Sequence, residues 1–331
     1  MQDYEMPQER LLRFHIERAL TEQPTRALSS SKELLALAQQ NNDKGLYGEA
    51  LIYMGKSYLV MKNLPQAEMI FKQALEIFKI RENQEQIAVV LNALGAVAQT
   101  RKDVNGAIKY YFSALKAAKA SKNIPSVYKP LVNLALIYNA NGSHDTALNY
   151  IKQAITVAER WNIEDPKSRI YHIAAKLYEE QKDIVKSRSS CIEAIRYAEK
   201  ENNHLMYATA SLTLATLEIK MNKLPQAEKL MKALLQYDQK HGLKNNEVLC
   251  SIELVKLWFR TGNRTAAFTL LKNQVRNVRK DPKKYSPQSY LIFKLLGDFC
   301  RFSLQDIDSA NRYYKLYLNL TKGVWKRYLT D

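Results

Sequence analysis

The chain has 331 residues, and its 50 Lys and Arg against 33 Asp and Glu give a formal net charge of +17 at pH 7. Its three cysteines, Cys191, Cys250 and Cys300, have neither the number nor the spacing of a disulfide framework or a metal site, so we expect them to be buried as small apolar residues. With no signal peptide and no membrane-length apolar run, the sequence predicts a soluble cytoplasmic protein, or a periplasmic one if it is a trimmed sensor region.

One small residue recurs at an interval of 40 residues along nearly the whole chain. Alanine occupies six of these positions and serine the seventh: Ala27, Ala67, Ala107, Ala147, Ser187, Ala227 and Ala267. Self-similarity at such a period is typical of an array in which one supersecondary unit is copied along a line. An array of this kind usually binds other molecules and does not catalyse reactions.

Each unit contains two helical stretches separated by turn residues. Around the recurring alanine, small and large side chains alternate at offsets of three, four and seven positions, which places them on one helical face. Gly95 and Ala107 would allow two helices to approach closely, and Tyr111 or Phe71 would fill the space above the contact. Each unit is therefore predicted to be a hairpin of two antiparallel helices.

The units follow one another in chain order between turns rich in Asn, Asp, Gly and Pro. The first unit, about residues 8–47, keeps only part of the pattern and is predicted to be a capping unit. The last, about residues 286–331, carries Leu296-Gly297 and Ala310 out of step with the period, after a predicted enlarged turn at 281–287. These two and six regular units give eight hairpins in a single array over residues 1–331.

Three segments carry a family resemblance. Met54-Gly55-Lys56-Ser57-Tyr58, Leu94-Gly95 and Leu134-Ala135-Leu136-Ile137-Tyr138, each followed by the recurring alanine, resemble the tetratricopeptide repeat (TPR). The usual TPR unit has about 34 residues, and the 40-residue form is similar to repeats of kinesin light chains and bacterial signalling proteins. The resemblance implies an all-α fold, a right-handed α-solenoid of about eight TPR-like helical hairpins.

The resemblance also implies a binding site, because the first helix of each TPR unit lines a concave groove. The polar and charged residues expected there are Lys56, Asn92, Gln99, Lys129, Asn139, Arg169, His172, Lys176, Thr216, Lys256, Arg260 and Arg301. Amides can pair with the backbone of an extended peptide, and Lys or Arg can hold carboxylates. We therefore expect a protein or peptide partner with acidic groups, with the alternative that these residues only solvate the surface.

Catalytic motifs are missing from the sequence. It has no phosphate-binding glycine loop, no HExxH and no CxxC, and its five histidines fall in different units. We expect no enzymatic activity, no cofactor and no metal.

Three functions are compatible with these features. The leading interpretation is the sensory or adaptor part of a bacterial signalling system. The alternatives are a free-standing scaffold for assembly or secretion, and nucleic-acid binding through the basic segment Arg276–Lys284, for which we found no basic face interleaved with aromatics. The apolar residues of the last helix, with Val324, Trp325 and Tyr328, also suggest a homodimer.

Overall fold

A computed structural model describes residues 7–163 and 167–322 of the protein. Within these ranges the chain forms sixteen α-helices and no β-strand. They are α1 Gln8–Ala19, α2 Pro24–Gln40, α3 Lys44–Val60, α4 Leu64–Ile80, α5 Gln84–Thr100, α6 Val104–Ala120, α7 Tyr128–Ala140, α8 His144–Arg160, α9 Lys167–Glu180, α10 Ile184–Lys200, α11 His204–Lys220, α12 Leu224–Lys240, α13 Lys244–Thr261, α14 Arg264–Lys280, α15 Leu291–Ser303 and α16 Ile307–Thr321.

Consecutive helices pair as hairpins, from α1 with α2 to α15 with α16. This arrangement confirms the predicted all-α solenoid. The chain divides between Asp165 and Pro166 into two compact units. Unit 1 contains α1–α8 and unit 2 contains α9–α16. A single right-handed array over residues 1–331 stays a prediction.

The sequence period consists of two equal halves. Helices α3, α4, α5 and α6 each have 17 residues, and they begin at the evenly spaced residues Lys44, Leu64, Gln84 and Val104. The short turns between them place a middle residue in the left-handed region, such as Lys62 with φ 60° inside a hairpin and Glu82 with φ 52° between two hairpins. In the turn between α7 and α8 glycine takes this position, at Gly142 with φ 78°. The turn inside a hairpin is therefore built like the turn between hairpins.

Side chains at the last turn residue fix the starts of many helices. Asp43, Asn83 and Asp103 each accept hydrogen bonds from backbone amides in the first turn of the helix that follows, at 2.8–3.1 Å. Asp183 and Asn203 do the same in unit 2. These caps satisfy amides that would otherwise have no partner inside the helix. Asn and Asp thus recur at the turns for a local physical reason.

The recurring small residue lies inside each hairpin at the beginning of its second helix. Ala67, Ala107 and Ala147 are fully buried, and Ser187 is buried with its hydroxyl donating to the Ala175 carbonyl at 2.7 Å. Glycine on the first helix permits an even closer approach, since a Cβ on Gly95 would lie 2.5 Å from the Tyr111 ring. The predicted small-to-large contact is therefore the contact that closes each hairpin.

The end hairpins differ in detail from the predicted capping units. The first hairpin ends with α2 at Gln40, and the second hairpin begins at Lys44, inside the range predicted for the first unit. Before the last hairpin, two short 3-10 helices, Pro282–Lys284 and Pro287–Tyr290, form the predicted enlarged turn. Gly297 faces the Tyr314 ring there, with 2.7 Å between an added Cβ and the ring, so this hairpin keeps the usual contact at a shifted position.

Candidate functional site

The first helices of neighbouring hairpins lie side by side in each unit. In unit 1, α3 contacts α5 and α5 contacts α7. In unit 2, α9 contacts α11, α11 contacts α13 and α13 contacts α15. No pair of second helices within the described part of either unit makes contacts as extensive. Each unit therefore presents a surface built from first helices, which we call its first-helix face.

On the first-helix face of unit 1, Lys56 is a cation in a partly buried environment. It is half-buried, and its Nζ lies 5.2 Å from the centre of the Tyr53 ring. Burial lowers the pKa of Lys56, and the nearby ammonium of Lys129 lowers it further. Lys129 itself is exposed. The structure thus brings together two cations that the sequence assigned to different repeats of one groove.

The three predicted amides of unit 1 already take part in hydrogen bonds of the protein. Asn133 donates to the Asn92 Oδ1 at 2.9 Å and so links α7 to α5. The Tyr111 hydroxyl donates to Gln99 Oε1 at 2.8 Å. Asn139 lies 3.0 Å from the Nδ1 of His144. A partner that used these amides would have to compete with contacts that hold the repeats together.

His172 differs from the sequence expectation of a surface histidine in the groove. This residue is only 8% exposed, and its Nε2 lies 3.0 Å from the Thr213 hydroxyl on the next first helix. Burial, with a smaller contribution from Lys176, lowers the pKa of His172 to about 4. The neutral ring therefore contributes to packing between α9 and α11, and it presents little surface to a ligand.

The cations predicted for unit 2 are of two kinds. Some already contact a carboxylate or an aromatic ring of the protein, and the others form no ion pair. Lys256 lies 2.7 Å from Glu253 on its own helix. Arg301 lies over the Phe302 ring at 5.4 Å. Arg169, Lys176 and Arg260 are exposed and form no ion pair with another described residue. Arg169, Lys176 and Arg260 are thus available to an acidic ligand.

A pocket of about 270 Å³ opens on the first-helix face of unit 2. Leu212, Leu249, Ile252 and Leu291 supply its aliphatic walls, and its polar groups come from Thr213, Thr216, Glu253 and Gln288. Thr216, the one polar residue of the pocket that was predicted for the site, donates to the Thr213 carbonyl of its own helix at 2.7 Å. The sequence reasoning missed most of this pocket. Leu249 lies seven residues before the predicted Lys256 on α13, a spacing that keeps one helical face, and could have been found from it, but Gln288 and Leu291 follow the shifted turn.

The histidines are also not all separate, which corrects the expectation that each falls in a different unit. His204 begins α11, His241 follows α12, and their rings stack with centres 3.9 Å apart. His204 Nδ1 lies 2.7 Å from the Tyr237 hydroxyl. Even so, the described residues contain no group of three or more His, Cys, Asp or Glu that could hold a metal ion.

The cysteines and the last helix complete the predicted features. Cys191, Cys250 and Cys300 are free and buried, as expected, and burial raises the pKa of the Cys191 thiol to about 12. The residues Val324, Trp325 and Tyr328 lie outside the described residues, so the homodimer stays a prediction. In the described part of the chain, no helix is long and apolar enough to cross a membrane.

The fold, the period and the small-to-large contacts define a tetratricopeptide-repeat protein. A family model described as "Tetratricopeptide repeat" matches residues 46–120. A second family model, described as "Cohesin loading factor", matches residues 135–316, more than half of the chain. The chain therefore belongs to the cohesin loading factor family. No protein of curated function matches it in sequence.

Solved structures with the same fold come from several signalling proteins. A signal transduction ATPase with a TPR sensor from Pyrococcus horikoshii is 12% identical over 96% of this chain and 48% of that protein, with a TM-score of 0.75. The quorum sensor NprR from B. thuringiensis is 12% identical over 95% and 86% of the two chains, with a TM-score of 0.67. Aspartyl phosphate phosphatase F from Bacillus subtilis is 18% identical over 82% and 70%, with a TM-score of 0.58. This chain thus spans about half the length of the first protein, and at these identities the likeness shows the fold alone.

Proposed function

We propose that this chain is a non-catalytic protein-interaction scaffold that holds an extended segment of a partner protein on the first-helix face of unit 2. The observation that carries the proposal is the aliphatic pocket between α11, α13 and the start of α15. The repeat fold supports the role of a protein-interaction scaffold. The position and chemistry of the pocket support the binding of an extended segment on this face.

The pocket suits one aliphatic side chain of a bound peptide. Its volume of about 270 Å³ lies just below the usual range for pockets that hold whole small molecules. Its leucine and isoleucine walls would gain about 25 cal/mol for each Å² of apolar surface removed from water. Thr213 and Gln288 stand at the same pocket and could pair with the peptide backbone beside the inserted side chain.

Cations flank the pocket along the same face. Lys176 and Lys256 occupy the positions that correspond to Thr216 in the preceding and the following hairpin, one period away on either side. Both are exposed. A segment with an aliphatic residue between acidic residues would therefore match this face. The carboxylate of the segment would compete with Glu253 for Lys256.

Family membership supports a role in cohesin loading, in which the bound segment belongs to a protein of the loading machinery. A sensory or adaptor role in a bacterial signalling system is the second candidate. It is supported by the similar solved structures described as a TPR sensor and a quorum sensor. Both roles use the same binding face, so the identity of the partner separates them. A scaffold for assembly or secretion would hold its partner on the same face and in the same way, and only the partner would differ.

The test is partner capture from the native cell with matched variants of the chain. Leu249→Glu places a charge in the aliphatic pocket, and Lys176→Glu reverses a flanking cation. We expect each to weaken the complex by about 2 kcal/mol or more, which is roughly 30-fold. Val185→Glu is the control, because Val185 is exposed on the second helix α10.

Retention of the partner by both Leu249→Glu and Lys176→Glu would contradict the proposed face. Among the proteins captured by the parent chain, a protein of the cohesin-loading machinery favours the loading role, and a signalling enzyme or transcription regulator favours the sensor role.

A further inference from the structure

Positive charge is concentrated at the end of unit 2. Residues 264–322, which contain α14, α15 and α16, include twelve Lys and Arg and four Asp and Glu, a net charge of +8. The whole chain carries +17, so nearly half of its net charge lies in less than a fifth of its length. A local excess of this size attracts polyanions.

The carboxylates of this segment are occupied elsewhere. Asp281 pairs with Lys284 at 2.8 Å. Asp298 accepts a hydrogen bond from the Tyr314 hydroxyl at 2.8 Å, and Asp306 accepts one from the Ser309 amide at the start of α16. Asp308 lies in the first turn of α16, where the helix dipole favours an anion. The segment therefore holds far fewer carboxylates than its cations would need for neutralisation.

Four of these cations line one pocket of about 550 Å³ between α14 and the last hairpin, which we call the α14 pocket. Its charged residues are Lys272, Arg276, Arg279 and Lys280, and Tyr313 from α16 stands among them. Arg276 and Lys280 are exposed and form no ion pair with another described residue. Among the described residues that line the pocket, none is Asp or Glu.

We propose that the α14 pocket binds single-stranded nucleic acid. Lys272 and Lys280 lie eight positions apart on one helix, a rise of about 12 Å at 1.5 Å per residue. That length corresponds to three or four nucleotides of a stacked strand at about 3.4 Å each. The guanidinium of Arg276 can bind a phosphate in a bidentate manner, which suits Arg better than Lys.

Tyr313 selects a nucleic-acid strand over an acidic peptide. Its ring is half-buried beside the cations, where an unpaired base could stack on it while the phosphates contact α14. An acidic peptide would use the cations but would have no base for the ring. A duplex keeps its bases stacked inside and presents only its backbone. The combination of ring and cations therefore points to a single strand.

The α14 pocket is separate from the proposed protein-binding face. Its charged residues and Tyr313 lie on the second helices α14 and α16, whereas the aliphatic pocket lies among first helices. Loss of one function is therefore not expected to remove the other. Leu249→Glu should leave nucleic-acid binding unchanged.

The test is fluorescence anisotropy of a labelled 15-nucleotide strand against the full chain at several salt concentrations. Arg276→Ala with Lys280→Ala should weaken binding about tenfold or more at 0.1 M salt. It should also lower the slope of log K against log salt by about 1.4, since each neutralised phosphate contributes about 0.7 for single strands. The control is Lys109→Ala with Lys116→Ala, which removes two exposed charges from α6 in unit 1. Equal weakening of strand binding by both double variants would overturn the assignment of binding to the α14 pocket.

Two variants of Tyr313 test whether a base stacks on its ring. Tyr313→Leu should weaken binding about tenfold with the salt slope unchanged, and Tyr313→Phe should bind like the parent. Thermal unfolding of both variants verifies that the hairpin is intact. An unlabelled duplex of equal length and a poly-glutamate peptide of equal charge should compete poorly. Competition by the peptide as strong as that of the strand, together with unchanged binding by Tyr313→Leu, would overturn the proposal in favour of an acidic protein partner.

Discussion

Asp238 on α12 is a carboxyl group in a place where several other repeats have alanine. The equivalent positions of the three preceding second helices hold Ala198, Ala158 and Ala118, all of them buried. Asp238 is fully buried as well, and its Oδ2 accepts a hydrogen bond from Asn246 at 2.7 Å, whereas its Oδ1 has no partner among the described residues. Burial is the main reason that the pKa of Asp238 is raised to about 7, and Glu247 adds to it.

A raised pKa makes the folded protein less stable as the pH increases. The folded state holds the proton more tightly than the unfolded state, whose carboxyl has its ordinary pKa of 3.8. The contribution of the protonated group is therefore fully present below about pH 4 and is lost as the pH rises to about 7. At 1.36 kcal/mol for each pKa unit, the loss is at most about 4 kcal/mol.

Asp238→Asn tests this reasoning because it removes the charge and nearly keeps the shape. At pH 8 we expect the variant to be about 2 kcal/mol more stable than the parent, and at pH 4 the two should agree within about 1 kcal/mol. The measurement is urea unfolding followed by circular dichroism at pH 4, 6 and 8. Glu33→Gln, an exposed carboxyl on α2, is the control and should change little. An identical pH dependence in the parent and Asp238→Asn would refute the assignment.

Three other substitutions probe the repeat architecture through the same unfolding measurement. Gly95→Ala should cost about 1–3 kcal/mol, because the new Cβ would overlap the Tyr111 ring; no loss would show that the hairpin can open at little cost. Lys102→Gly should stabilise by about 0.5–1 kcal/mol, since Lys102 has φ 65°, and a lower melting temperature would contradict this. Arg188→Ala should cost about 2 kcal/mol, because it leaves the buried carboxylate of Glu218 without its 2.6 Å partner. Adding Glu218→Gln should recover part of that loss, and no recovery would argue against the ion pair.

The hairpin fold was predictable from the sequence because its determinants are local. Small residues at helical spacing determine which face of each helix is buried, and Asp103 or Pro65 marks where the next helix begins. The contact of Gly95 with Tyr111 joins two adjacent helices of one hairpin, and its counterparts repeat along the chain. Periodicity reports such contacts directly.

Contacts between hairpins were not predictable in the same way. The pair of His172 with Thr213 and the pair of Asn92 with Asn133 each join neighbouring first helices of different hairpins. Those pairs depend on the rotation of one hairpin against the next, and the spacing of apolar residues does not determine that angle. His172 was therefore expected at the surface, although the structure buries it.

The two pockets illustrate the same limit. Gln288 reaches the aliphatic pocket only because the turn before the last hairpin is enlarged. Tyr313 meets the cations of α14 across two neighbouring hairpins, a contact that no single repeat contains. A departure from the repeat is visible in the sequence, but the cavity that the departure creates is not.

From α2 to α6 the turns within hairpins and the turns between hairpins share one geometry, with a single left-handed residue at the middle. Genetic exchange between two turns one period apart would therefore join helix to helix in phase, adding or deleting a whole hairpin without a new kind of loop. Such a protein can lengthen its contact surface by fixed increments while each existing hairpin keeps its neighbours.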